Sequence, residues 1–171
     1  MLSAESAAGQ FPIEAVSMMN RIAEEVETDP TYRSIIAAQR TPPEPTGADA
    51  SADAARQIAE TLDLPAIASW TSSGSTALRV ARERPTSPIL AISPNRSTGR
   101  RLSLAWGVHC IVAEDARDLD DMVDRACKFA FREGFVRAGQ RILVVAGVPL
   151  GTPGATNMVR IAFVGSDAAS D

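Results

Sequence analysis

Histidine occurs once in this sequence, at His109, and cysteine only at Cys110 and Cys127. With a single imidazole and no CxxC pair, a zinc site of the usual four-ligand kind is excluded. Both thiols lie in apolar stretches, which predicts free core cysteines in a reducing compartment rather than a disulfide. No apolar run approaches the ~18–20 residues that a membrane span requires, and no charged segment followed by an apolar one opens the chain. An excess of positive charge is missing too. The formal net charge is −4, with the basic residues dispersed, so no footprint for nucleic acid or an anionic membrane is expected. These absences predict a soluble, cytoplasmic protein.

What is present is a chain of 171 residues, 45% of them hydrophobic, enough to bury one sizeable core. Pro12 announces a first helix, and Ala15, Met18, Met19, Ile22, Ala23 and Val26 then recur along one helical face. It is expected to stop near Asp29, because the residue before a proline is pushed out of the helical region. This stripe predicts docking onto the rest of the domain or onto another copy. Arg40 to Asp49 is proline-rich, polar and without period, a linker or surface excursion. Ala55, Ile58, Ala59 and Leu62 then give a second helical stripe.

From there short apolar runs alternate with helical ones. Ala66–Trp70, Pro88–Ser93, Val108–Val112 and Ile142–Ala146 are strand-length and apolar on both faces, and Thr76–Arg84, Ser97–Leu104 and Asp118–Glu133 read as helices between them. Strands hydrophobic throughout, alternating with helices, predict a mainly parallel sheet covered on both faces. The run Asn157–Val164 comes after its predecessor across a Gly/Pro loop too short for a crossover helix, so it is expected as an antiparallel edge strand. The predicted fold class is therefore α/β, a three-layer α/β/α sandwich of about five strands.

Two loops are candidates for chemistry. Thr71-Ser72-Ser73-Gly74-Ser75-Thr76 joins a buried strand to a helix, and hydroxyls and amides at a helix N-terminus suit a phosphate. It also stands at the carboxyl end of a strand, where open α/β sheets bind ligands. The alternative is that Ser73 or Ser75 merely caps the helix. Arg79, one turn on, is the nearest charge in sequence, although it could simply face solvent. The second loop, Gly147 to Asn157, is spaced neither as GxGxxG nor as a Walker A motif. It is either a plain hairpin loop or a flap that closes on a ligand held by the first loop. Glu114, Asp115, Asp118, Asp120, Asp121 and Asp124 lack the Gly-punctuated spacing of an EF-hand and read as a solvated helix start, so no metal site is expected. His109 has no nucleophile at any recognisable spacing, and Trp70 and Trp106 read as core.

Taken together, these strings resemble the end of a pyruvate kinase. Met1–Gly9 followed by Pro12–Val16 is similar to the family's "MLSGETA.G.YP.EAV" stretch. Thr71–Ala77 resembles its "T.SG.TA" loop, Arg82–Ile92 its "YRP..PIIAVT" segment, and Gly107-Val108 and Gly147–Asn157 its "GV.P" and "G.P.G.PG.TN" elements. The resemblance runs through nearly the whole chain, in order. It implies a residual barrel-end loop and amphipathic helix over residues 1–30, a proline-rich connector over 31–50, the C-terminal α/β domain over 51–165 and a frayed tail over 166–171.

It further implies a parent enzyme that moves phosphate from phosphoenolpyruvate to ADP with magnesium and usually potassium. The catalytic lysine, the metal carboxylates and the potassium ligands would belong to the N-terminal barrel, so this stretch alone is expected to be inactive and to need no cofactor. Ser6 stands where the family has the active-site threonine of "GET". By the same carry-over, Thr71, Ser72, Ser73, Gly74, Ser75 and Thr76 would hold the phosphate of an allosteric effector, a sugar phosphate or a nucleotide, with Gly151, Thr152, Pro153 and Gly154 covering it. Ser75 replaces a family arginine or lysine, which favours a monophosphate over a bisphosphate, or a site that no longer regulates. Partners would be the enzyme's own barrel and further copies, a tetramer in the family, with neither nucleic acid nor membrane. Two rivals are a stand-alone sensor of phosphorylated metabolites and an oligomerisation module without ligand.

Overall fold

The structure, a computed structural model, describes residues 2–149, 152 and 154–166. Gly151 and Pro153 of the second loop and the tail after Ser166 lie outside the described residues. The chain divides into two compact units, Met1–Thr41 and Pro42–Asp171. Among the described residues no helix is long and apolar enough to cross a membrane.

The first unit holds α1 (Ala4–Ala7), α2 (Pro12–Thr28) and α3 (Pro30–Ala38). Pro12 opens α2, where its missing N–H would have had no partner in any case. Asp29, ahead of Pro30, is extended at φ −67° and ψ 129°, which ends α2. Its carboxylate then accepts the Thr31 N–H at 2.7 Å and caps α3. All but the first of the nine residues of α3 fall in the stretch expected as connector. They carry too few large apolar residues for a stripe to be read, yet the Asp-Pro pair before them is a helix start as well as a helix stop. Neither α2 nor α3 buries a residue.

The second unit runs α4 (Gly47–Thr61), β1 (Ile67–Trp70), α5 (Ser75–Arg82), β2 (Ile89–Ser93), α6 (Arg96–Leu102), β3 (Val108–Val112), α7 (Leu119–Arg132), β4 (Arg141–Ala146) and β5 (Met158–Phe163). The helix α4 starts inside the proline-rich stretch, because Thr46 accepts the Asp49 N–H at 3.2 Å and serves as its N-cap. The strands lie in the order β3-β2-β1-β4-β5. The pairs β1/β2, β1/β4 and β2/β3 are parallel, and β5 runs antiparallel to β4, pairing Arg141 with Phe163 and Ala146 with Met158. The expected three-layer sandwich with one antiparallel edge strand is what forms.

Alternation along each strand sorts the core into two layers. Ile67, Ile89, Leu143 and Val145 pack against Ala52, Ala55 and Ala59 of α4 and Val80 of α5. Ala77, Ala91 and Leu102 extend that layer to α6. Ala68, Trp70, Leu90, Ile92, Ile142 and Val144 face Met122, Val123, Ala126 and Ala130 of α7 on the other side. Every residue of β1 and β2 is buried, the physical reason those runs read as apolar on both faces. The edge strand β5 leaves Ile161 and Phe163 exposed.

From β1 the chain winds outward through β2 to β3, then crosses over by α7 to β4 on the other flank of β1. The carboxyl ends of β1 and β4 therefore form the point at which the winding reverses, where an open α/β sheet leaves a crevice.

Candidate functional site

A cleft of about 330 Å³ opens at that crevice. Thr71, Ser72, Ser73, Ser75 and Thr76 line it from the loop after β1, and Ala146, Gly147, Thr152, Gly154 and Ala155 from the segment after β4. The two loops singled out in the sequence thus meet in space.

The first loop is shaped from within and clamped from outside. Buried Thr71 accepts the Gly74 N–H on its Oγ1 at 2.9 Å, which turns the chain tightly into α5. Gly74 is the N-cap residue at φ +88°, and the Ser73 Oγ ahead of it accepts the Ser75 N–H at 3.5 Å. The Ser72 carbonyl accepts from Asn95 Nδ2 at 3.0 Å and Thr98 Oγ1 at 2.9 Å, and the Ser73 carbonyl accepts from Arg101 Nη2. With the carbonyls taken up by α6 and its approach, the Ser72, Ser73 and Thr76 amides find no acceptor among the described residues. Ser73 Oγ lies 3.1 Å from Ser75 Oγ, so the hydroxyls stand together.

The second loop is closed at its base by Asn157, which accepts the Val148 N–H at 2.8 Å and donates to the Val148 carbonyl at 2.7 Å. Gly147 is required there, since a Cβ would fall inside the Ala155 carbonyl. The loops are tied to each other by one buried contact, Thr76 Oγ1 to Thr156 Oγ1 at 2.8 Å. Apolar floor comes from Trp70 and Met122. Trp70 Nε1 donates to the Met122 carbonyl at 3.2 Å, and the Arg125 guanidinium lies 5.3 Å from the Trp70 ring centroid.

Asn95 at the N-cap of α6, Thr98 and Arg101 within α6, and Asp115 after β3 also line the cleft, and none of them was expected there from the sequence. Asn95 and Asp115 lie just beyond the carboxyl ends of β2 and β3, and Thr98 and Arg101 on the helix that follows β2, a placement that becomes meaningful only once the strand order is known. Arg79 does not reach the cleft. Its Nε meets buried Asp49 at 3.2 Å, as does Arg82 Nη2 at 3.0 Å, joining α5 to α4.

The remaining candidates have structural partners. Ser6 lies in α1 of the first unit, its Oγ donating to the Ser3 carbonyl at 3.1 Å. Gly151 and Pro153 fall outside the described residues. His109 stands 3.1 Å from Glu133 and packs on Phe135. Asp118 accepts the Asp121 N–H at 2.9 Å and caps α7. The Arg117 side chain and amide hold the Asp121 carboxyl down at about 2, well below its ordinary 3.8. Cys110 and Cys127 are not joined by a disulfide, and burial pushes the Cys110 thiol up. Among the described residues no group of three or more His, Cys, Asp or Glu stands together as metal ligands would.

The family described as "Pyruvate kinase, alpha/beta domain" matches residues 49–162. The chain is 63% identical over 164 residues to a pyruvate kinase of Methylorubrum extorquens, covering 96% of this chain and 34% of that protein. It is 41% identical to a pyruvate kinase of Agrobacterium vitis over 96% of this chain and 35% of that one. A pyruvate kinase of Geobacillus stearothermophilus is 39% identical over 94% of this chain and 27% of its own length. The chain therefore spans about a third of the curated relatives it matches.

Proposed function

This chain belongs to the pyruvate kinase family through its C-terminal alpha/beta domain, and on that premise we propose that it is an effector-binding and assembly module of a parent enzyme. The parent would transfer phosphate from phosphoenolpyruvate to ADP, a glycolytic reaction. The observation that carries the effector reading is the convergence of the hydroxyl-rich loop after β1 and the glycine-bearing loop after β4 on one cleft. Clustered hydroxyls, open amides at the start of α5 and a nearby guanidinium are what a phosphoryl group recognises. Exposed Ile161 and Phe163, two residues apart on one face of the edge strand β5, support the assembly part, because exposed apolar patches mark interaction surfaces.

Thermal unfolding of the chain with millimolar sugar phosphates and nucleotides tests the effector reading. A ligand bound only by the folded form raises the midpoint; no shift with any of them would favour the rival of a ligand-free assembly module. Sedimentation velocity tests assembly, with a dimer or larger expected and a strict monomer against it.

Magnesium and potassium are implied for the parent reaction. Among the described residues no three His, Cys, Asp or Glu side chains stand together as ligands. Phosphoryl transfer depends on metal-bridged phosphates and a cationic clamp positioned in line, and on this reading those groups reside in the remaining two-thirds of the parent. The isolated chain is accordingly expected to produce no pyruvate from phosphoenolpyruvate, ADP and magnesium. Turnover above background in a coupled assay would refute that.

A further inference from the structure

Resting on the reading that this cleft holds a phosphoryl group, we propose that Arg101 supplies its positive charge and that Asp115 restricts the cleft to ligands with a single phosphate and a hydroxylated remainder. Arg101 is the one cationic side chain among the described residues that line the cleft, and Asp115 the one anionic side chain. Several arginines of this unit are neutralised by carboxylates, Arg79 and Arg82 by Asp49 and Arg117 and Arg125 by Asp121, and of the described arginines Arg101 alone lines the cleft. Arg101 meets only the Ser73 carbonyl, through Nη2, and has no carboxylate partner among the described residues. A guanidinium has five N–H donors in a planar fork. One hydrogen bond to the loop leaves the others to chelate an oxyanion seated on the Ser73 and Ser75 hydroxyls.

The backbone makes room for that seat. A Cβ on Gly74 would stand 3.2 Å from Arg101 Nη2 and 3.3 Å from Thr98 Cγ2 and Leu102 Cδ2. The left-handed glycine therefore lets α6 lay its arginine against the loop as well as turning the chain.

Asp115 enters from the segment between β3 and α7. Arg125 holds that segment by donating to the Glu114 carbonyl at 2.6 Å and the Asp115 carbonyl at 2.9 Å. The Asp115 Oδ1 accepts the Ala116 N–H at 3.0 Å, leaving Oδ2 able to accept from a ligand hydroxyl and to repel a second phosphate. With Trp70 and Met122 beneath, about 330 Å³ suits a small organic monophosphate.

Calorimetric titration of the chain with glucose 6-phosphate and fructose 1,6-bisphosphate tests this, using R101M, R101K, D115N and, as a control for net charge, R100M. Arg100 and Arg101 are both exposed, so the variants are expected to fold, as circular dichroism and an unchanged unfolding midpoint would verify. The expected results are a wild type that prefers the monophosphate, R101M weaker by roughly 10–100-fold, R101K intermediate, and R100M within about twofold of wild type. D115N should narrow the preference by roughly fivefold or more. If wild type binds but R101M binds equally well, or R100M loses as much as R101M, the role of Arg101 is overturned. An unchanged preference in D115N overturns the role of Asp115. A wild type that binds neither compound overturns this inference, whereas the effector reading falls only if the wider panel of sugar phosphates and nucleotides gives no thermal shift either.

Discussion

Two helices of this chain carry apolar stripes of the same kind and meet different fates. The helix α7 buries Met122, Val123, Ala126, Cys127 and Ala130 against the sheet. The helix α2 buries none of its residues and leaves Val16, Met18, Met19, Ile22 and Val26 exposed. A 3.6-residue period states which face of a helix is apolar; it does not state what covers that face. The two helices differ in the element that comes next. After α7 comes β4, every residue of which beyond Arg141 is buried, whereas α2 leads only into the short α3. Secondary structure in the first unit is thus specified by caps and prolines, and in the second unit by a shared core as well.

The sharpest way to break that contrast is to remove core from the second unit. Leu143, fully buried on the face of β4 that packs against α4, replaced by alanine should cost about 2–5 kcal/mol, read by urea unfolding followed through tryptophan emission. A loss within about 0.5 kcal/mol would mean the two layers are far looser than their burial indicates. Asp49→Ala ranks next. It removes the carboxylate that receives both Arg79 and Arg82, and because Arg82 is half-exposed the expected loss is only about 2 kcal/mol. Asparagine at the same position should recover part of it.

At the start of α7, acid titration sharpens the comparison. Arg117 holds the Asp121 carboxyl at about 2, against an ordinary 3.8. A depressed carboxylate contributes stability that is fully present above the ordinary value and is lost as pH falls through about 2. Asp121→Asn should therefore flatten the fall in stability across that acid window while leaving its slope near neutrality unchanged. An equally steep fall in the variant would show that this pairing does not anchor the helix. The smallest effect belongs to the first unit: Ile22→Ala on the exposed stripe of α2 should change stability of the chain by less than about 0.5 kcal/mol. A loss of about 2 kcal/mol or more would mean that α2 has an apolar partner in solution, a second copy included, which a concentration-dependent midpoint would identify.

Much of the architecture was legible along the chain. Val108–Val112 is a strand with the expected bounds, and β1, β2, β4 and β5 shift by only a residue at one end or both. Asp118 caps α7 as its place before an amphipathic run implied. α3 was not legible, because nine residues with few large apolar side chains give no period to read, and α4 begins earlier than its stripe, at a threonine cap inside a proline-rich segment. Of the cleft, the hydroxyl loop and the glycine loop could be named in advance, each having an unusual local composition. Asn95, Thr98, Arg101 and Asp115 could not, since nothing in their immediate neighbours distinguishes them from other surface polar residues.

Local chemistry alone settled that this chain alternates buried strands with helices, that its final strand runs antiparallel, and that Thr71–Thr76 turns a strand into a helix. Those properties depend on residues within one turn or one loop of each other. Tertiary structure decided that β1 lies between β2 and β4, and so that loops far apart in sequence share a crevice. It also decided that Arg79 is spent on Asp49 while Arg101 faces the cleft. Which charges meet depends on how sheet and helices pack across distance, and periodicity, a property of neighbours along the backbone, does not record that.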